Sequence, residues 1–99
     1  MTKAEIITKI AYEVGLEKDE ILKVIEAFMA TVKESMISGE EVTLRGFGSF
    51  INKSRAEKVG RNISKEESVV IPAHCIPSFK PAKEFVEAVK RNVPYHKKN

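Results

Sequence analysis

The chain has a single cysteine, Cys75, and no stretch that approaches the roughly 20 apolar residues of a membrane span. The first absence excludes an internal disulfide, leaves no second thiolate for a zinc set, and fits a reducing compartment. The second leaves no membrane partner to expect. The opening residues, MTKAEIITK, carry charges where a signal peptide needs its apolar run, so a cytoplasmic protein is expected. Gly46-Phe47-Gly48 lacks the following helix and the Lys-Ser/Thr of a phosphate loop. His74 stands beside Cys75, but neighbours on a strand point to opposite faces, which does not build a thiol-imidazole pair. An enzyme is therefore not expected, and no cofactor, metal or small-molecule substrate is implied. There is no internal repeat and no low-complexity tract.

Charge is present in both signs but divided along the chain. Residues 1–44 carry five lysines against nine acids, a net of −4, whereas residues 45–99 carry twelve Lys or Arg against five acids, a net of +7. Such asymmetry points to one part that binds a polyanion and another that folds or assembles the molecule; a solvated basic surface is the alternative. At 99 residues the chain is one domain with a small core, and a partner would help to stabilise it.

Thr2 and Glu5 form a T-x-x-E capping box, which predicts a helix start. Ile6, Ile7, Ile10, Ala11 and Val14 follow at helical spacing, and Gly15 offers the left-handed residue that closes a helix. A longer second helix carries Ile21, Leu22, Ile25, Phe28, Met29, Val32 and Met36 on one stripe and ends before Gly39. Its acids Glu17, Asp19 and Glu20 favour the positive end of the helix, although Glu17 or Lys18 caps less well than Ser or Asp. The stripe reads as core, not as a ligand pocket.

Alternating and β-branched residues then predict strands over 41–44, about 48–58 and about 67–77, with Pro72 and Pro77 on an edge or at a strand end. Within them Cys75 is expected to pack and His74 to face solvent. In KPAKEFVEAVKR, Ala82, Phe85, Val86 and Val89 share one face after Pro81, a residue suited to a first helical turn, so a third helix should end near Asn92. RGFGSF reads as a hinge, with Phe47, Phe50 and Phe79 able to plug the sheet onto the helices.

From Lys53 to Ser68 the charges leave neither face apolar, so a hairpin here should project from the body, and its bases suit a nucleic-acid groove. In this order of elements, and in EVTLRGFGSF, RAEKVGRN and IPAHCIPSFKPAKEF, the chain resembles the HU/integration host factor family of bacterial DNA-bending proteins over essentially its whole length. The resemblance implies an α+β fold: an intertwined dimer with itself or a paralogue, with a helical base and a three-stranded antiparallel sheet that extends into a protruding β-ribbon arm. It divides the chain into a helical dimerisation region at 1–40, sheet at 41–52 and 69–79, an arm at about 53–68, and a C-terminal helix with a basic tail at 80–99.

The resemblance also implies roles. Lys53, Arg55, Lys58, Arg61, Asn62, Ile63 and Lys65 would lie along the minor groove, and Lys3, Arg45, Lys80 and Lys83 would meet phosphates on the body. Phe28, Met29, Val32, Phe47, Phe50 and Phe79 would form the dimer core. The implied partner is double-stranded DNA, above all bent, nicked or flexible DNA, bound with little sequence preference and compacted in the bacterial nucleoid. A sequence-specific architectural factor, and a dimeric module for an acidic protein, are the alternatives. The family's arm tip usually reads Arg-Asn-Pro-x-Thr-Gly, where this chain has Arg61, Asn62, Ile63, Ser64, Lys65 and Glu66. Isoleucine is among the apolar wedges that unstack base steps, so Ile63 either replaces the proline as wedge or caps the ribbon and touches sugars. Lys58 stands where arginine is common, which keeps the charge and loses the planar fork.

Overall fold

The computed structural model describes residues 1–62 and 67–95, with Arg61, Asn62 and Glu67 described as backbone alone. The expectations for Ile63 and Lys65 lie outside the described residues. Helix α1 (Lys3–Val14) starts at Thr2, whose Oγ1 accepts from the Glu5 N–H at 3.2 Å. The Thr2 hydroxyl in turn donates to Glu5 Oε1 at 3.1 Å, so the return contact of the capping box goes through the hydroxyl. Gly15 ends the helix with φ 72°, a conformation that costs glycine little. Helix α2 (Lys18–Ile37) begins at Glu17 without a side-chain cap, as the weak capping residue foretold.

Among the described residues five strands follow: β1 (Val42–Leu44), β2 (Gly48–Arg55), β3 (Lys58–Asn62), β4 (Glu67–Ile71) and β5 (His74–Pro81). They form two antiparallel sheets, a body sheet ordered β1-β2-β5 and a ribbon of β3 with β4. The long strands expected from sequence are thus interrupted. Pairing stops at Arg55↔His74 and resumes at Lys58↔Ile71, so Ala56 and Glu57 on one side face Pro72 and Ala73 on the other as an unpaired joint. Pro72 has no N–H to offer a ladder, and the break in its partner strand follows from that loss.

Three boundaries are corrected accordingly. The body sheet runs to Arg55 and His74 instead of stopping near residues 52 and 69, while 69–71 belong to the ribbon. The ribbon is therefore not devoid of apolar groups, since Val59 pairs with Val70 and Val69 and Ile71 lie on β4. Pro81 closes β5 opposite Gly48 and precedes the Ala82 N-cap of helix α3 (Lys83–Asn92), outside the first helical turn. Pro77 sits on β5, an edge strand, where a missing donor is tolerated.

The core is small. Among the described residues, the buried hydrophobic side chains are Ile7, Ala11, Ile21 and Val32; Ile10 and Ile25 pack against the first three. Much of the apolar surface is left uncovered: Phe28 is 41 % exposed, Phe47 46 % and Phe79 36 %.

Candidate nucleic-acid interface

The register of the body sheet sorts its side chains by face, because directly opposed residues share a face and alternate residues do not. Val42, Leu44, Gly48, Phe50, Asn52, Ser54, Cys75, Pro77, Phe79 and Pro81 share one face by this parity. It is the helix side, since Asn52 Nδ2 donates to the Met36 carbonyl of α2 at 3.1 Å. Cys75, expected to pack, is exposed: it lies two ladder pairs beyond Asn52, on an open groove shared with Met36 and Ile37 at the end of α2, and its Sγ is 3.9 Å from Ser54 Oγ.

The opposite face carries Thr43, Ser49, Ile51, Lys53, Arg55, His74, Ile76, Ser78 and Lys80. No acid stands among them. Lys53, Arg55, His74 and Lys80 are exposed, and Ile51 with Ile76 forms a half-buried apolar middle. Thr43 Oγ1 and Ser49 Oγ are 3.1 Å apart across the strands. This row leads to the joint, beyond which the ribbon continues with Lys58 opposite Ile71, Arg61 opposite Ser68 and Asn62 opposite Glu67.

At the other end of the sheet the aromatic side chains fix a cationic cleft. Phe79 sits among Phe47, Phe50 and Phe85, with ring centroids 5.1, 5.0 and 6.4 Å away. A Cβ at Gly48 would lie 2.6 Å from the Phe79 ring and 2.6 Å from the Lys80 carbonyl oxygen, so only glycine admits this approach. The Phe47 carbonyl accepts from the Ala82 N–H at 2.9 Å, which ties the start of α3 to the β1–β2 turn. Arg45, Lys80 and Lys83 are thereby gathered around one cleft of about 300 Å³ that also includes Thr43, Ser49 and the backbone entering α3. Partial positive charge at the N-terminal end of α3 reinforces the preference for an anion.

Lys3 is placed differently. It pairs with Glu26 of α2, both side chains about half exposed, and it does not line the cleft. The segregation onto one face was invisible to composition, although the parity of Lys53 and Arg55 against Ser54 carried half of it; His74 was missed as a member of the row. Among the described residues no group of three or more His, Cys, Asp or Glu side chains could hold a metal, and no helix is long and apolar enough to cross a membrane.

A helical base, a ribbon that leaves the body through an unpaired joint, and an acid-free basic sheet face define an architecture for holding an extended polyanion. Residues 1–90 match the model of the family described as bacterial DNA-binding protein. The SPbeta prophage-derived DNA-binding protein HU 2 of Bacillus subtilis is 42% identical over 90 residues, which span 91% of this chain and 98% of that protein. DNA-binding protein HU of Geobacillus stearothermophilus is 39% identical over 90 residues, 91% of this chain and all of that protein. Among solved structures, the Anabaena HU–DNA cocrystal structure matches with a TM-score of 0.84 at 35% identity, covering 95% of this chain and 100% of that one. HU from Thermotoga maritima matches with a TM-score of 0.62 at 27% identity, covering 90% and 98%. The chain belongs to this HU family of bacterial DNA-binding proteins.

Proposed function

We propose that the protein is an architectural DNA-binding protein of the bacterial nucleoid, which binds duplex DNA as a dimer with little sequence preference and bends it. The observation that carries this reading is the body-sheet face on which Lys53, Arg55 and Lys80 stand without an acid and which leads into the ribbon. Cations in such a row neutralise phosphates and release counterions, which yields affinity without sequence readout. Arg45 and Lys83 extend the phosphate contacts at the cleft. Lys58, Arg61, Asn62 and Lys65 follow the minor groove, whose degenerate edge pattern distinguishes little beyond A·T from G·C. Ile63 at the tip unstacks a base step, so that sites which bend cheaply are preferred.

Dimerisation is supported by what the single chain leaves open. Its accessible surface is 8793 Å², against about 5,700 Å² for a folded monomer of 11.1 kDa. Its radius of gyration is 19.1 Å, against about 13 Å for a compact chain of this length. The arm accounts for part of the excess. The rest includes an apolar groove of about 770 Å³ lined by Met36, Ile37, Asn52, Cys75 and Pro77, and another of about 380 Å³ at Phe79, Phe85 and Val89. A second copy, or a close paralogue, covers them together with Phe28 and Met29.

The test is energy transfer between the labelled ends of a short duplex, with intact, nicked and A-tract versions in competition. The reading requires the ends to approach and the nicked duplex to win. Preferential binding of the stiff A-tract duplex would contradict it, and binding without end approach would favour a basic module of another kind.

A further inference from the structure

The cationic face contains one group whose charge is not fixed. His74 Nδ1 lies 2.8 Å from the carbonyl oxygen of Pro72, within the joint between body and ribbon. A carbonyl can only accept, so Nδ1 is the protonated nitrogen, and this contact sets the tautomer of the neutral ring. Nε2 is then left with its lone pair. The ring is exposed and sits directly across from Arg55, with Lys53 diagonal to it on β2 and Ile76 next on its own face of β5. The next charged residues along the strand opposite are Glu57 in the joint and Lys58 at the start of β3. Among the described residues no acid shares its face of the sheet, and β5 pairs with β2 alone.

We propose that His74 is a proton-dependent phosphate contact: protonation at Nε2 converts an acceptor that repels a phosphate oxygen into a charged donor that binds it, and DNA binding takes up a proton there. The inference rests on the DNA-binding reading. A phosphate brought against this face, where Arg55 stands across the ladder from His74, attracts a charged ring and not a neutral one. The proton is therefore held more tightly in the complex, and affinity rises as pH falls. Each tenfold gain in proton affinity that a phosphate contact brings strengthens binding about tenfold per chain across the range in which the proton is taken up. The Pro72 bond adds a second consequence, because it holds the donor at the point where the arm departs, close to the DNA that both parts of the molecule grip.

The experiment compares wild type, His74→Gln and His96→Gln on one non-specific duplex at constant ionic strength from pH 8 to pH 5.5. Proton uptake is measured at pH 6.5 by calorimetry in two buffers of different ionisation enthalpy. Wild type and His96→Gln should bind about three- to tenfold more tightly per chain at the acid end and take up protons on binding. His74→Gln should lose most of both effects. A general distortion of the joint would weaken binding without removing proton uptake, so the two readouts separate position from titration. Equal uptake by wild type and His74→Gln overturns the proposal while leaving DNA binding intact; absence of DNA binding by wild type throughout the pH range overturns both.

Discussion

Gly48→Ala tests whether the close approach of β2 to β5 holds the sheet and the cationic cleft in place. The added Cβ would stand 2.6 Å from the Lys80 carbonyl oxygen and 2.6 Å from the Phe79 ring, about 1 Å short of ordinary contact. Neither neighbour yields easily. Lys80 pairs with Ser49 in the ladder, and Phe79 is held by Phe47 and Phe50 at 5.1 and 5.0 Å. Overpacking of this kind costs about 1–3 kcal/mol, and the upper half of that range applies because one obstacle is backbone. At about 4–8 °C per kcal/mol for a domain of this size, the melting temperature should fall by roughly 10–20 °C. Thermal unfolding by circular dichroism, at one fixed protein concentration because a dimer's transition depends on it, measures the change. Gly60→Ala is the control, since its Cβ would meet Ile71 and Val69 only at 3.9 Å. A melting temperature for Gly48→Ala no lower than that of Gly60→Ala would refute the packing argument.

Thr2→Ala should remove the α1 cap and cost about 1 kcal/mol, read as a fall of roughly 4–8 °C in the same melt; no change would mean that the Thr2–Glu5 contacts are immaterial. Lys80→Gln should lower the salt dependence of DNA binding, whereas Lys3→Gln should lower it less, because Lys3 is already engaged with Glu26. Titrations at four salt concentrations distinguish these, and an equal or larger effect at Lys3 would remove the distinction. Ile63→Ser should still bind a flexible duplex but bring its labelled ends less close together, and undiminished end approach would dismiss Ile63 as wedge.

Local signals carried the helices well. Thr2, Gly15 and the apolar stripe of α2 each act within a few residues of the backbone they govern, so their effect needs no knowledge of the fold. The joint was harder: Pro72 announces a break in its own strand, but the matching break at Ala56 and Glu57 depends on which residue pairs with which. Cys75 shows the same limit, because its parity is right for packing, yet it lies on a groove beside Met36 and Ile37 that the single chain leaves open. The grouping of Arg45, Lys80 and Lys83 needs the Ala82–Phe47 hydrogen bond, which no periodicity encodes. His74 belongs to the cationic row only through its pairing with Arg55, and a lone histidine in a sequence gives no such sign.

The most direct test of the acid-free sheet face is the slope of log Kd against log salt for Lys53→Gln/Arg55→Gln beside wild type, on a duplex of fixed length. If both side chains meet phosphates in each half of a dimer, four contacts are lost and the slope falls by about 3.6. The control Lys9→Gln/Lys18→Gln, on α1 and α2, should keep the wild-type slope. A slope unchanged by Lys53→Gln/Arg55→Gln, or lowered as much by the helix control, would contradict the assignment of this face to DNA.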